Sequence, residues 1–419
     1  MQERLVVNPY LQMRKSPDDD GMIYLVAPKP GDGKKLLLVN RSDQANLFEI
    51  FTELKDTRFD FLDPHLDLND AERSLLAENG MLLDASAEIK KPLFRCNLSE
   101  VEPFTGEIDR ESLLVNQSFR YEPFDLSKFA LLANERNFSP YSSSAWIRNP
   151  ITDIESGYWL DSAEAAVVST FTANASLSDN LDENLARRLL SAGLIDTLAI
   201  REKASEHWSE IVEKVRHDFA HEKYAVIPAL FQAEQMQAMR EYYRQYVDQG
   251  FMPFGDSQVA GRYREHSEPF ASFLHGQLTN LMTAIVGEEI KLSYVFASSY
   301  KEGALLDPHV DREQCEYSIS FQVDYEPEPL DHLSPWAIYI EPLTRYYNGP
   351  PGGKNIIPWE ELESHKSGIR PKPIHLASGD GLIYKGRELV HYRYALPAGQ
   401  RSTSLFFHFV PKDFDGGLH

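Results

Sequence analysis

Hydrophobic and polar positions change rhythm about halfway along the chain. In the first part, strand-like runs precede helix-like ones. GMIYLVAP from Gly21 and KKLLLVN from Lys34 lead into QANLFEIFTELKD, and LNDAERSLLAENGMLLD closes the set at Asp84. A second set repeats the order: SGYWLD from Ser156, then AEAAVVSTFT, then LDENLARRLLSAGLID ending at Asp196. Both closing segments put leucines at helical spacing, reach a glycine suited to a helix C-terminus, and re-emerge as a short apolar strand. Strand, helix, helix, glycine and strand is the order of a small winged-helix-like α/β unit. Residues 97–145 lack a clear period, and NFSPYSSSAW reads as a linker. A long polar helix from Ile200, IREKASEHWSEIVEKVRHDFAHEK, joins the halves. A short apolar strand ending at Pro228 and an amphipathic helix follow, after which the texture is β-rich. The pattern predicts an α+β protein with units at 1–96, 97–198 and 199–419.

Composition narrows the function classes. With 419 residues, 42% hydrophobic and 25% charged, the chain is long enough for more than one domain core. No stretch approaches the roughly 18 apolar residues of a membrane span, and the N-terminus lacks a signal-peptide pattern, so a cytoplasmic protein without a membrane partner is expected. Two cysteines, Cys96 and Cys315, exclude a disulfide framework or a thiolate zinc site. A net charge of −22 repels phosphate backbones and argues against nucleic acid as partner. A homodimer is compatible with the sequence.

The chemistry lies in SYVFASSYKEGALLDPHVDREQCEYSISFQVD, from Ser293. His309 and Asp311 are two apart between strand-like runs, so an extended backbone points both at one ion. His391, in DGLIYKGRELVHYRYALPAGQRSTSLFFHFV, supplies a third ligand. Two imidazoles and one carboxylate on one face of a metal are the donor set of non-haem iron(II) oxygenases. Arg401, ten residues on, is a group that grips a carboxylate in a fork, and Thr403 shares its side of the strand. Arg393 and Arg387 are the next candidates for that grip. In YSISFQVD, Ser318, Ser320 and Gln322 alternate with Ile319, Phe321 and Val323, so one face is polar. H-x-D alone is a weak signal: LDPHLDLND carries His65 and Asp67 in nearly the same words, without the strands, histidine and arginine that follow the second copy. His332, His365, His375 and His408 compete for the distal position but fall in the insert or out of order. The insert of residues 324–373, rich in proline, glycine and aromatics, reads as a lid, with SPWAIYIEP as one core strand.

Over residues 205–415 the chain resembles the iron(II)- and 2-oxoglutarate-dependent dioxygenases of the prolyl hydroxylase and phytanoyl-CoA hydroxylase types. The matching features are YAVIPALF before a helix, Tyr300 and Gly303 in Y-x-x-G, His309 and Asp311, GDGLIY from Gly379, His391 and Arg401. The resemblance implies a double-stranded β-helix (jelly roll) with flanking helices, iron(II), 2-oxoglutarate and O2. It makes Tyr300 and Gln322 candidates for 2-oxoglutarate contacts beside Arg401 and Thr403. Halogenases of the superfamily replace the carboxylate ligand, so Asp311 implies hydroxylation, with desaturation and ring formation, which use the same ligands, as the alternative outcomes. Residues 5–84 resemble PqqD-like peptide-binding domains. Together these readings imply a hydroxylase of peptide or protein side chains. The alternatives are a hydroxylase of an amino acid or small natural-product intermediate, and a non-enzymatic metal-binding module.

Overall fold

Among the described residues, the runs that carry a clear period in the sequence are regular elements in the protein's computed structural model. The structure describes residues 5–53, 68–84, 86, 89–123, 143–177, 181–256, 258–344 and 356–418. His65 and Asp67 lie outside the described residues, as does the glycine-rich part of the insert.

Packing groups the chain into two units: residues 1–92 with 242–265, and residues 93–241 with 266–419. The first unit is built on an antiparallel meander of Gln12–Lys15, Met22–Lys29 and Gly33–Asn40. Helices Ala45–Glu53 and Asp70–Glu78 follow, and Leu82–Asp84 pairs with Leu5–Val7. Ile23, Leu25, Val39, Leu47 and Leu76 are wholly buried in its core. A reciprocal capping box between Asn69 and Glu72 starts the second helix. The strands Leu5–Val7 and Gln12–Lys15 are too short for a period to reveal them.

Gly250 of the same unit has φ +79°, and a Cβ there would stand 2.2 Å from the carbonyl oxygen of Lys29. Gly250→Ala is therefore expected to destabilise this unit by about 2–4 kcal/mol, combining left-handed strain with a backbone clash. Denaturant unfolding monitored by circular dichroism checks this, and an unchanged midpoint would contradict the clash.

The second unit begins with a three-stranded antiparallel sheet of Arg120–Glu122, Ser143–Arg148 and Glu155–Leu160. Helices Ser162–Val168 and Glu183–Ser191 follow, and Ile195–Asp196 pairs with Leu114–Val115. The linker expected at NFSPYSSSAW is corrected over its last four residues, 143–146, which open the buried central strand. Serine content hid the strand: Ser143 and Ser144 are buried, and the Ser144 hydroxyl accepts the indole N–H of Trp146 at 2.9 Å. Packing does not stop at residue 198, because Ala238 belongs to the same apolar core as Leu185, Leu189 and Ile195.

The helix Leu198–Glu222 opens on a Thr197 cap and ends at Lys223 in the left-handed region, φ 63°. Of the ten strands described beyond it, one is the short Arg262–His266 and nine are β1 (Tyr224–Ile227), β2 (Ile290–Lys301), β3 (Leu306–His309), β4 (Tyr317–Glu326), β5 (Ile338–Thr344), β6 (Lys372–Ile374), β7 (Gly381–Tyr384), β8 (Leu389–Arg393) and β9 (Arg401–Pro411). The nine fall in two antiparallel sheets, with neighbours in the order β1-β7-β4-β9-β2, the last followed by Arg262–His266 at the edge, and β3-β8-β5-β6. β4 is buried along nearly its whole length. The insert supplies β5 and β6, so it is part of the second sheet as well as a connection. β5 overlaps the core strand expected at SPWAIYIEP.

Candidate metal centre

β3 and β8 are antiparallel neighbours, and His309 lies directly opposite His391. Directly opposed residues share a face, so pairing brings together two histidines 82 positions apart (391 − 309). Their rings lie 4.2 Å apart between centroids. Asp311, just past the end of β3, puts Oδ1 3.7 Å from Nε2 of His309 and 3.6 Å from Nε2 of His391. One donor atom from each residue falls within 4.8 Å of the others.

Both imidazoles are fixed from behind. Nδ1 of His309 meets the carbonyl of Asp307 at 2.8 Å, and Nδ1 of His391 meets that of Leu389 at 3.0 Å. A carbonyl only accepts, so each Nδ1 carries the proton and each Nε2 offers its lone pair to the common point. Asp311 is held equally well. Its N–H donates to the carbonyl of Gly386 at 2.8 Å, and its Oδ2 accepts the Ser318 hydroxyl at 3.1 Å. With that proton committed, Ser318 accepts from Nδ1–H of His408 at 2.9 Å. Burial pushes the Asp311 carboxyl up, but His391, His408, His309 and the Ser318 hydroxyl outweigh it and hold the group below its usual range. The donor set thus fits a divalent transition metal: two neutral imidazoles and one carboxylate, with other coordination positions left to small ligands.

A second grouping, Asp311 with Cys315 and His408, shares the carboxylate. Burial and the nearby Asp311 raise the Cys315 thiol far above its usual value, so no thiolate is offered. His408, fully buried and pulled down to about 4 by burial, serves as the neutral support behind Ser318. His332, His365 and His375 are exposed and lie outside the cluster.

The expected cosubstrate residues divide between two faces. Tyr300 and Gln322 are buried on the inward side of the first sheet, opposite Ser402 and Ser404 respectively. The Gln322 amide donates to the Ser402 hydroxyl at 3.1 Å, and its Oε1 is buried with no hydrogen-bond partner. Ser318 and His408, which support Asp311, lie on this same face. Arg401 and Thr403 do not. Thr403 sits opposite Ser299, hydroxyl to hydroxyl at 3.0 Å, and Arg401 is exposed opposite Lys301. Their positions on β9 have the parity of Leu405, Phe407 and Phe409, which face outward toward the helices, whereas Ser402, Ser404 and His408 face inward. The run RSTSLFFHFV contains this signal, because its apolar alternation assigns Arg401 and Thr403 to the apolar side. Arg393, two residues after His391 on β8 and so on the same face of that strand, is 2% exposed.

No family model and no curated protein sequence matches the chain. Among solved structures, it is similar to a prolyl-4-hydroxylase from Pseudomonas putida, at 14% identity over 48% of this chain and 99% of that one, with a TM-score of 0.36. It is also similar to HygX from Streptomyces hygroscopicus with nickel, 2-oxoglutarate and hygromycin B bound, at 14% identity, 48% and 88% coverage and a TM-score of 0.36. A third is an oxidoreductase of the 2OG-Fe(II) oxygenase family from Burkholderia pseudomallei, at 11% identity, 49% and 92% coverage and a TM-score of 0.34. The chain is similar to 2-oxoglutarate–iron(II) oxygenases. The similarity extends over about half of its length.

Proposed function

We propose that this protein is an iron(II)- and 2-oxoglutarate-dependent dioxygenase that hydroxylates an unactivated C–H bond. The observation that carries the reading is the convergence of Nε2 of His309, Nε2 of His391 and Oδ1 of Asp311, each donor oriented by a hydrogen bond from behind. The order of the two sheets supports a jelly roll, with the site between their inward faces. When bound, iron(II) and 2-oxoglutarate supply the oxidising chemistry that couples O2 to hydroxylation.

The chain's own part is positional. His309, His391 and Asp311 would hold the metal, and as three protein donors they would leave coordination positions for small ligands. Ser318 and His408 keep Asp311 ionised and aimed. Tyr384, buried with its ring 4.8 Å from that of His391, and Trp336 help exclude water from the inward face.

The substrate reading is a peptide or protein side chain. Its support is the first unit, whose outer strand Gly33–Asn40 exposes Leu36 by 60% and Leu38 by 42%. They are two residues apart on one face, as strand addition by an extended peptide would use them. Turnover of labelled 2-oxoglutarate to succinate, measured against a panel of peptides and free amino acids, tests both levels. Peptides are expected to stimulate turnover, and Asp311→Ala to remove it. Stimulation by free amino acids alone would replace the peptide reading, and equal turnover by Asp311→Ala would overturn the oxygenase.

A further inference from the structure

We infer that the guanidinium of Arg393 is the anchor for the carboxylate of 2-oxoglutarate remote from the metal, a role that sequence order assigns to Arg401. The inference rests on the oxygenase reading above and adds to it the residue that selects a dicarboxylate. Arg393 lies 4.3 Å over the Trp336 ring, and its Nη1 donates to the Trp336 carbonyl at 2.6 Å. Among the described residues no carboxylate reaches it. The protein treats another buried arginine differently: Arg262, 6% exposed, is paired with Asp256 at 2.7 Å. A buried guanidinium without an anion is costly, and an anionic ligand removes that cost.

Position gives the length of the ligand. His391 and Arg393 are two apart on β8, so their side chains leave the same face about 6.7 Å apart along the strand. That separation suits a five-carbon diacid held by the metal at one end and by a forked donor at the other. The inward face of the first sheet is prepared for a polar guest. Ser298 Oγ, Ser320 Oγ, Ser404 Oγ and Gln322 Oε1 are all buried there without a hydrogen-bond partner. Exposed Arg401, on the outward face, has no such setting.

The test uses the full chain loaded with Mn(II), titrated calorimetrically with 2-oxoglutarate and with 2-oxobutyrate, which keeps the keto-acid end and lacks the second carboxylate. Wild type is expected to prefer 2-oxoglutarate by about 30- to 1000-fold, the worth of a charge-assisted forked contact. Arg393→Gln is expected to lose that preference while still binding Mn(II) and 2-oxobutyrate, and Arg401→Gln to keep it. Arg393→Lys, which retains the charge, is expected to recover part of it, and the comparison of the two acids on wild type needs no variant to fold. Equal wild-type affinity for the two acids, full preference in Arg393→Gln, or its loss in Arg401→Gln would overturn the assignment and leave the oxygenase reading standing. Failure of wild type to bind Mn(II), or to bind either acid once loaded, would overturn that reading itself.

Discussion

His391→Ala is expected to abolish stoichiometric binding of a divalent metal, and His309→Ala to do the same. Each removes one of three protein donors from a point where the remaining two are a neutral imidazole and a carboxylate. Loss of a residue that merely supports a ligand typically costs about 10- to 100-fold in metal affinity, so loss of a ligand should exceed about 100-fold. The fold should survive: His391 sits in β8 between β3 and β5, and backbone pairing there does not depend on the side chain. Calorimetric titration with Mn(II), beside a melting curve of the metal-free protein, separates the two effects. Full metal binding by either variant, with an unchanged melt, would mean that these histidines are ordinary buried residues.

Gly386→Ala is expected to damage the same centre without touching a ligand. A Cβ at Gly386 would stand 2.2 Å from Oδ2 of Asp311 and 2.8 Å from the carbonyl oxygen of Cys315. Neither can move freely. Asp311 is tied to Gly386 by its own N–H and to Ser318 by the carboxylate, and Cys315 closes a turn onto Arg312. The clash is relieved by turning the carboxylate away from His309 and His391, which removes the charged member of the donor set. Metal affinity should fall by about 10- to 100-fold, the scale of losing ligand support, and Gly386→Ser should be at least as poor. Mn(II) titration checks this, and undiminished affinity would show that Asp311 need not hold its present rotamer to bind metal.

The local period of the sequence determined much of this protein. It located most of the helices and strands of both units, the polar face of β4, and the H-x-D pair whose two side chains meet. These depend on neighbours within a few residues, where spacing alone decides which side chains share a face. Tertiary structure decided the rest. The β3–β8 register, not spacing, sets His391 opposite His309, and it is a nonlocal property shaped by the bulge between Leu306 and His309. Ser143–Arg148 is a strand because its serines are buried and bonded, which composition cannot reveal. Gly386 matters because of what approaches it from Asp311 and Cys315. The proposal of Arg393 in place of Arg401 turns on which face of a sheet each occupies. Distance from His391 in sequence suggested Arg401. Strand parity turns Arg401 toward the side of Leu405 and Phe407, and leaves Arg393 two residues from His391 as a buried guanidinium to which no carboxylate among the described residues is paired.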